Sequence, residues 1–401
     1  MAYIESFRVT NLAGRSGDIS RDLDRHVNIF WGLNGAGKTT LLKILNAALS
    51  NETAGLDELP FDAAEVTFRS TLDDSTVTRT YAKHEQDALG EEDSGEPFLT
   101  GDGGIDGIWF EAEGTESEAH WESHTENSEM DPRRLSAKFT HSYLPITRVA
   151  ERRRPQFRDP ASNFRTQNPS SIEDMFVRQV RTRWTEYSAK SLARIRDIQQ
   201  QGLASVLAIL FGGIVGEQSL DVEEVEPEVA YDIVKSFLGD QQIQLALDKK
   251  AFSARFSASD EHRRVVIEIE EVRQHVAKIL EPQREFQSVI DEMYAGNKHL
   301  VLRRTRAAMS PQPLSVWVGD KVIPLKSLSS GEKQLLQILL EALDAEEDTI
   351  MIDEPELSMH VDWQQRLVAS LRRVNPNCQL LLATHSPEVM ADVPNKLVFE
   401  L

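Results

Sequence analysis

Apolar positions alternate with polar ones over 3–10 and 27–31, and each run predicts a strand near the start of the chain. A glycine-rich turn follows the second run, and 41–49 then shows the spacing of an apolar helix. Two further runs, 65–70 and 76–83, flank an Asp-Asp-Ser turn and predict a hairpin. The stretches 171–210 and 261–296 have helical spacing and many Arg, Gln and Glu residues, without the sustained heptads of an extended coiled coil. From about 314 the pattern runs strand, helix, strand, helix, strand, and it closes on the apolar run 396–401. This order predicts an α/β chain in three parts: an N-terminal half over 1–165, a helical insertion over 166–313 and a C-terminal half over 314–401. With the last run ending the chain, no C-terminal effector domain is expected.

Composition adds few constraints. The 401 residues suffice for one large α/β domain with insertions or for two modest domains. No run reaches the roughly 18 apolar residues of a membrane span. The opening residues lack the basic-then-apolar layout of a signal peptide. The lone Cys378 excludes an internal disulfide framework and suits a reducing compartment. A cytoplasmic protein with no membrane partner is expected.

The net charge of −21 is unevenly placed. Residues 84–131 hold sixteen Asp or Glu and no Lys or Arg, and read as a loop plus a solvated hairpin. Residues 148–196 hold twelve Arg or Lys against five acids, including Arg152, Arg153 and Arg154. Because the polarity is segmental, the acidic total excludes no partner. The arginines of 148–165 could contact DNA phosphates, or equally form a solvated face or an internal partner for the acidic insert.

Four motifs carry candidate chemistry. Residues 32–40 read GLNGAGKTT, a phosphate-binding loop placed after a strand and opening a helix. The backbone N–H groups of Asn34, Gly35, Ala36, Gly37, Lys38, Thr39 and Thr40 can curl around phosphates, with the helix N-terminus adding favourable field. Lys38 would face the β and γ phosphates, and the Thr39 hydroxyl would ligate Mg²⁺. Residues 349–356 read TIMIDEPE, an apolar strand ending in carboxylates, where open α/β sheets bind ligands. Asp353 can hold the Mg²⁺ shell and Glu354 can polarise an attacking water. Residues 328–334 read LSSGEKQ, in which Ser329 and Glu332 make a capping-box pair; taken alone this is a plain helix start. Residues 380–387 read LLLATHSP, another buried strand, ending at His385.

In this order the four motifs resemble those of the ABC ATPase superfamily: Walker A loop, LSGGQ-like signature, Walker B strand with catalytic Glu, and switch His. The resemblance covers about 1–50 and 314–401. The wording DEPELSMH, LSSGEKQ and ATHSP, with YLPITR at 143–148, is similar to the soluble OLD-like and RecF-like branch, found in prokaryotic antiviral defence systems. It implies an ABC-type P-loop NTPase with a mixed β-sheet core, a β-rich N-terminal lobe and an inserted helical lobe. It also implies ATP and Mg²⁺ bound between two copies, with Ser329 and Gly331 of one copy reaching the γ phosphate held by the other. Residues 357–360 would be the D-loop. Catalysis would rest on Glu354, His385 and Lys38. The signature departs from the family by reading SSGE rather than SGGQ.

Two roles follow from the resemblance. One is the sensor or regulatory subunit of an antiphage defence complex, working as a homodimer or higher oligomer with a separate effector. The other is a DNA-repair or chromosome-maintenance ATPase that clamps DNA.

Overall fold

The computed structural model describes residues 2–70, 75–83, 120–125, 139–145, 151–152, 172–211, 226–240, 244, 246–294, 296, 298–302 and 314–401. The chain divides into two compact units, Met1–Pro160 with Glu347–Pro355 and Cys378–Leu401, and Ala161–Glu346 with Glu356–Asn377.

The first unit holds two sheets. Strands β1 (Ala2–Thr10), β2 (Asp18–Asp22), β4 (Ala63–Ser70), β5 (Thr76–Ala82) and β6 (Glu122–Thr125) form an antiparallel sheet in the order β2-β1-β4-β5-β6. Strands β3 (Val27–Trp31), β7 (His141–Leu144), β8 (Glu151–Arg152), β12 (Thr349–Asp353), β13 (Gln379–Thr384) and β14 (Val398–Glu400) form the second, in the order β14-β3-β13-β12-β7-β8. Its pairs are parallel except β7 with β8. β12 and β13 are buried along their whole length, as near-continuous apolar runs in a parallel sheet should be. The helix Lys38–Ser50 sits in a shared core with inward residues of the antiparallel sheet, among them Phe7, Val9, Val66 and Phe68. Buried Gln379 ties the two sheets: its side chain bonds both the N–H and the carbonyl of Ile4, and receives the Thr349 hydroxyl.

Of the acidic stretch 84–131, residues 120–125 are described, and they correct the expectation of a solvated hairpin at that point. Trp121 is buried in the core beside Tyr81 and donates its indole N–H to the Glu52 carbonyl at 2.9 Å. The rest of that stretch lies outside the described residues, as do the arginines of 148–165 apart from the backbone of Arg152 in β8.

The second unit is mainly helical. Helices Ile172–Leu210 and Asp260–Met293 run against each other, with Gly202 so close to Val272 that a Cβ there would stand 2.1 Å from its Cγ2. Helices Pro227–Asp240 and Lys249–Ala258 add a smaller core around Ile233, Phe252, Phe256 and Ile269. Strands β9 (Lys298–Leu302), β10 (Leu314–Val318) and β11 (Lys321–Ile323) make a small antiparallel sheet. Helices Ser330–Asp344 and Val361–Val374 also belong here, which cuts the chain differently from the partition at 314. The reason is side-chain pairing: Arg183 meets Glu341 at 3.0 Å, Lys190 meets Asp344 at 3.0 Å, and Arg373 pairs with both Glu285 and Glu292. Among the described residues, no helix is long and apolar enough to cross a membrane.

Candidate active site

The loop between β3 and the helix Lys38–Ser50 turns on glycines with left-handed backbones, Gly35 at φ 85° and Gly37 at φ 97°. Gly37 also has no room to spare, since a Cβ would stand 3.0 Å from Leu12 and Ala13 atoms. Leu33, Asn34 and Gly35 form the exposed crest, whereas Ala36, Gly37 and Lys38 are buried and Thr39 and Thr40 are half-buried. The Lys38 ammonium donates to the Gly32 and Leu33 carbonyls, at 2.8 and 3.1 Å. A loop of this shape presents successive backbone N–H groups and a helix N-terminus to an anion.

β12 and β13, parallel neighbours, deliver the remaining groups. β12 ends at Asp353, and Glu354 follows with φ 50°, a left-handed backbone uncommon for a residue with a side chain. Its N–H donates to the Ala383 carbonyl at 2.8 Å, which holds that conformation against β13. The Glu354 carboxylate lies 3.7 Å from Lys38 Nζ and accepts a hydrogen bond from His385 Nδ1. Glu354 is buried; the His385 side chain is half-exposed.

Asp353 is buried, and among the described residues neither carboxylate oxygen has a partner that meets hydrogen-bond geometry. Burial pushes its pKa up to about 6, and Glu354 adds to the rise, while Thr39, Lys38 and Lys43 offset part of it. A buried carboxylate without donors costs several kcal/mol unless a cation satisfies it. The donor set of one carboxylate and one hydroxyl, oxygen only, fits Mg²⁺ rather than a softer metal. Asp353 and Thr39 thus fit the ion that the motifs imply.

The signature turn belongs to the second unit. Ser329 caps the helix Ser330–Asp344: its hydroxyl accepts the Glu332 N–H at 3.3 Å, and Glu332 Oε2 accepts the Ser329 N–H at 2.8 Å. Ser329 and Ser330 are exposed. Gly331 is buried, and a Cβ there would stand 2.3 Å from the carbonyl oxygen of Ser358, itself left-handed at φ 64°. Packing within one chain is therefore enough to require glycine at 331.

Two cations that sequence reasoning did not single out hold these elements. Arg79, fully buried in β5, donates to the Ala48 and Leu49 carbonyls at the end of the phosphate-loop helix. Lys298, at the start of β9, pairs with Glu332. No motif marks either residue, because each meets its partner only after the chain folds.

A glycine-rich loop opening a helix, with an orphaned carboxylate and a Glu–His pair at the adjacent strand ends, defines a P-loop NTPase. The sequence matches the family described as "AAA domain, putative AbiEii toxin, Type IV TA system" over residues 27–391, and the chain belongs to that family of ATPases. It is 31% identical over 98 residues to the "Retron Vc95 probable ATPase" of Vibrio cholerae serotype O1 biovar El Tor, a match covering 21% of this chain and 19% of that protein. It is 27% identical over 130 residues to the "Retron Ec83 probable ATPase" of Escherichia coli, covering 28% and 23%. The chain thus spans about a fifth of the length of these curated relatives. A solved Smc head domain from Pyrococcus furiosus, bound to the C-terminal domain of ScpA, aligns over 98% of this chain and 92% of that one at 11% identity and a TM-score of 0.43.

Proposed function

We propose that this chain hydrolyses ATP between two copies of itself and serves as the regulatory subunit of a cytoplasmic prokaryotic antiphage defence complex, controlling a separate effector. The observation that carries the ATP site is Asp353: a buried carboxylate beside Thr39 and one residue from Glu354, with no partner among the described residues that meets full hydrogen-bond geometry. In this reading the loop N–H groups of 34–40 and the Lys38 ammonium hold the phosphates. Thr39 and Asp353 hold Mg²⁺, which when bound neutralises charge on the phosphate oxygens. Glu354 orients and polarises the attacking water. His385, already bonded to Glu354, fixes that carboxylate and offers its other ring nitrogen to the γ phosphate. Catalysis by positioning of this kind needs no covalent intermediate.

The exposed Ser329 hydroxyl at a helix N-terminus supports the second half of the site. In this reading the partner copy's nucleotide receives Ser329 and the adjoining backbone, while buried Gly331 keeps the turn in shape rather than meeting phosphate through its own surface. The defence role draws on the two retron relatives, and the effector on the expectation that such ATPases act with separate proteins.

Two experiments test the reading. Ser329→Arg and Lys38→Ala proteins, each inactive alone, should regain ATPase activity when mixed, because one intact Walker half meets one intact signature. No recovery, with mixed dimers confirmed by sedimentation, would count against the shared site. Native pull-down with mass spectrometry should return a toxin-like or nuclease-like partner. DNA with repair factors would instead favour a DNA-clamping maintenance ATPase, contacted through the arginines of 148–165.

A further inference from the structure

The signature turn is held from beyond its own helix. Glu332 is buried, and its two carboxylate oxygens are divided between two duties. Oε2 accepts the Ser329 N–H, and Oε1 receives the Lys298 ammonium. The backbone carbonyl of the same residue accepts the Tyr294 hydroxyl at 2.9 Å, and Tyr294 is itself buried directly after the helix Asp260–Met293. Lys298 is about one-quarter exposed and opens β9, so the cation comes from the strand that follows that helix. Burial pushes the Glu332 carboxyl up; Lys298 and the Ser329 amide more than reverse that, leaving it below the ordinary carboxylate range.

We infer that Lys298 is a positioning residue for the signature half of the ATP site: by pairing with Glu332 it fixes the Ser329 amide and hydroxyl that the turn presents. This rests on the shared-site reading above. Without the ammonium, Glu332 is a buried carboxylate left with neutral donors from Ser329 alone, a costly state relieved by rehydration or protonation. Either outcome pulls Oε2 from the Ser329 N–H and loosens the cap. The phosphate loop belongs to the other unit, so the effect is expected on turnover and not on nucleotide binding.

The first test is a kinetic split. Lys298→Met should lower kcat about tenfold or more while KM for ATP stays within about twofold, and Lys298→Arg should recover most of the loss. A rise in KM with kcat intact overturns the proposal. The second test uses the Lys38→Ala plus Ser329→Arg mixture. Lys298→Met placed in the Lys38→Ala chain disables the surviving signature, and the mixture should lose about tenfold in rate. Placed in the Ser329→Arg chain, it adds no further loss to a signature already disabled. Equal losses in the two arrangements indicate general destabilisation and overturn the proposal. Failure of the parent mixture to recover overturns the shared-site reading instead, and the kinetic split then judges Lys298 on its own.

Discussion

Lys38 and Glu354 face each other 3.7 Å apart, a buried cation and a buried carboxylate from sequence positions more than 300 residues distant. The same carboxylate accepts the His385 ring N–H, so one group receives both a cation and a donor. Buried pairs of this kind are poor sources of net stability but strong constraints on geometry. Changing either member therefore separates binding from chemistry.

Glu354→Gln keeps the volume and the polar contacts but removes the negative charge. The variant should bind ATP at close to wild-type affinity and hydrolyse it about 10²–10⁴-fold more slowly, the usual range for a lost general base. Lys38→Ala should instead abolish binding, as followed with a fluorescent nucleotide. Wild-type turnover in Glu354→Gln would falsify the assignment of Glu354.

Asp353→Asn should stabilise the protein while disabling it. Thr39, Lys38 and Lys43 offset only part of the cost of burying this carboxylate, so the neutral amide removes a remaining desolvation cost that a bound cation would otherwise relieve. In metal-free buffer the variant should melt about 2 °C or more above wild type, given the scale of roughly 2–4 °C per kcal/mol for domains of this class. Added Mg²⁺ and ATP should raise the wild-type midpoint and leave the variant's unmoved. A variant less stable than wild type without metal would count against an under-compensated carboxylate at 353.

Arg79 closes the end of the helix whose beginning cradles phosphate. Burial lowers its pKa to about 10, so it stays charged at neutral pH, and its guanidinium lies over the rings of Phe68 and Phe139. Arg79→Met removes donors from the Ala48 and Leu49 carbonyls, costing about 1.5–3 kcal/mol for a charge-assisted bond in chemical unfolding. Affinity for ATP should weaken with it, since the helix N-terminus is anchored through its other end. Unchanged stability would show that the carbonyls find other donors.

The contrast between these residues explains what the sequence could reveal. The phosphate loop, the Ser329 capping box and the carboxylates at the end of β12 are local patterns, each set by neighbours within a few positions, and they were readable before folding. Arg79, Lys298 and Trp121 act through partners 31, 34 and 69 positions away, and nothing in their immediate context marks them. The acids around Trp121 in the sequence predict a solvated hairpin; the core claims it through Tyr81 and Glu52. The compact units also divide the chain elsewhere than at the expected boundary at 314. Strand-helix alternation after 314 is real, but Arg183 and Lys190 bind the signature helix into the helical unit.

Gly331 offers the sharpest separation of packing from phosphate contact. A Cβ at 331 meets the Ser358 carbonyl oxygen at 2.3 Å and its carbon at 3.3 Å, and backbone atoms cannot rotate away as a side chain would. Gly331→Ala must therefore displace the 357–360 turn, at about 1–3 kcal/mol for an overpacked site. Nucleotide binding should persist within about twofold, because the phosphate loop lies in the other unit, whereas turnover should fall at least about tenfold. Ser358 already holds a left-handed backbone, a conformation that costs a side-chain-bearing residue roughly 1–2 kcal/mol. Ser358→Gly removes that restriction and lets the turn yield. The double variant should accordingly recover part of the lost turnover and part of the lost melting temperature. A Gly331→Ala protein with wild-type stability, inactive and not rescued by Ser358→Gly, would show that the glycine is needed for close approach of phosphate and not for packing against the turn.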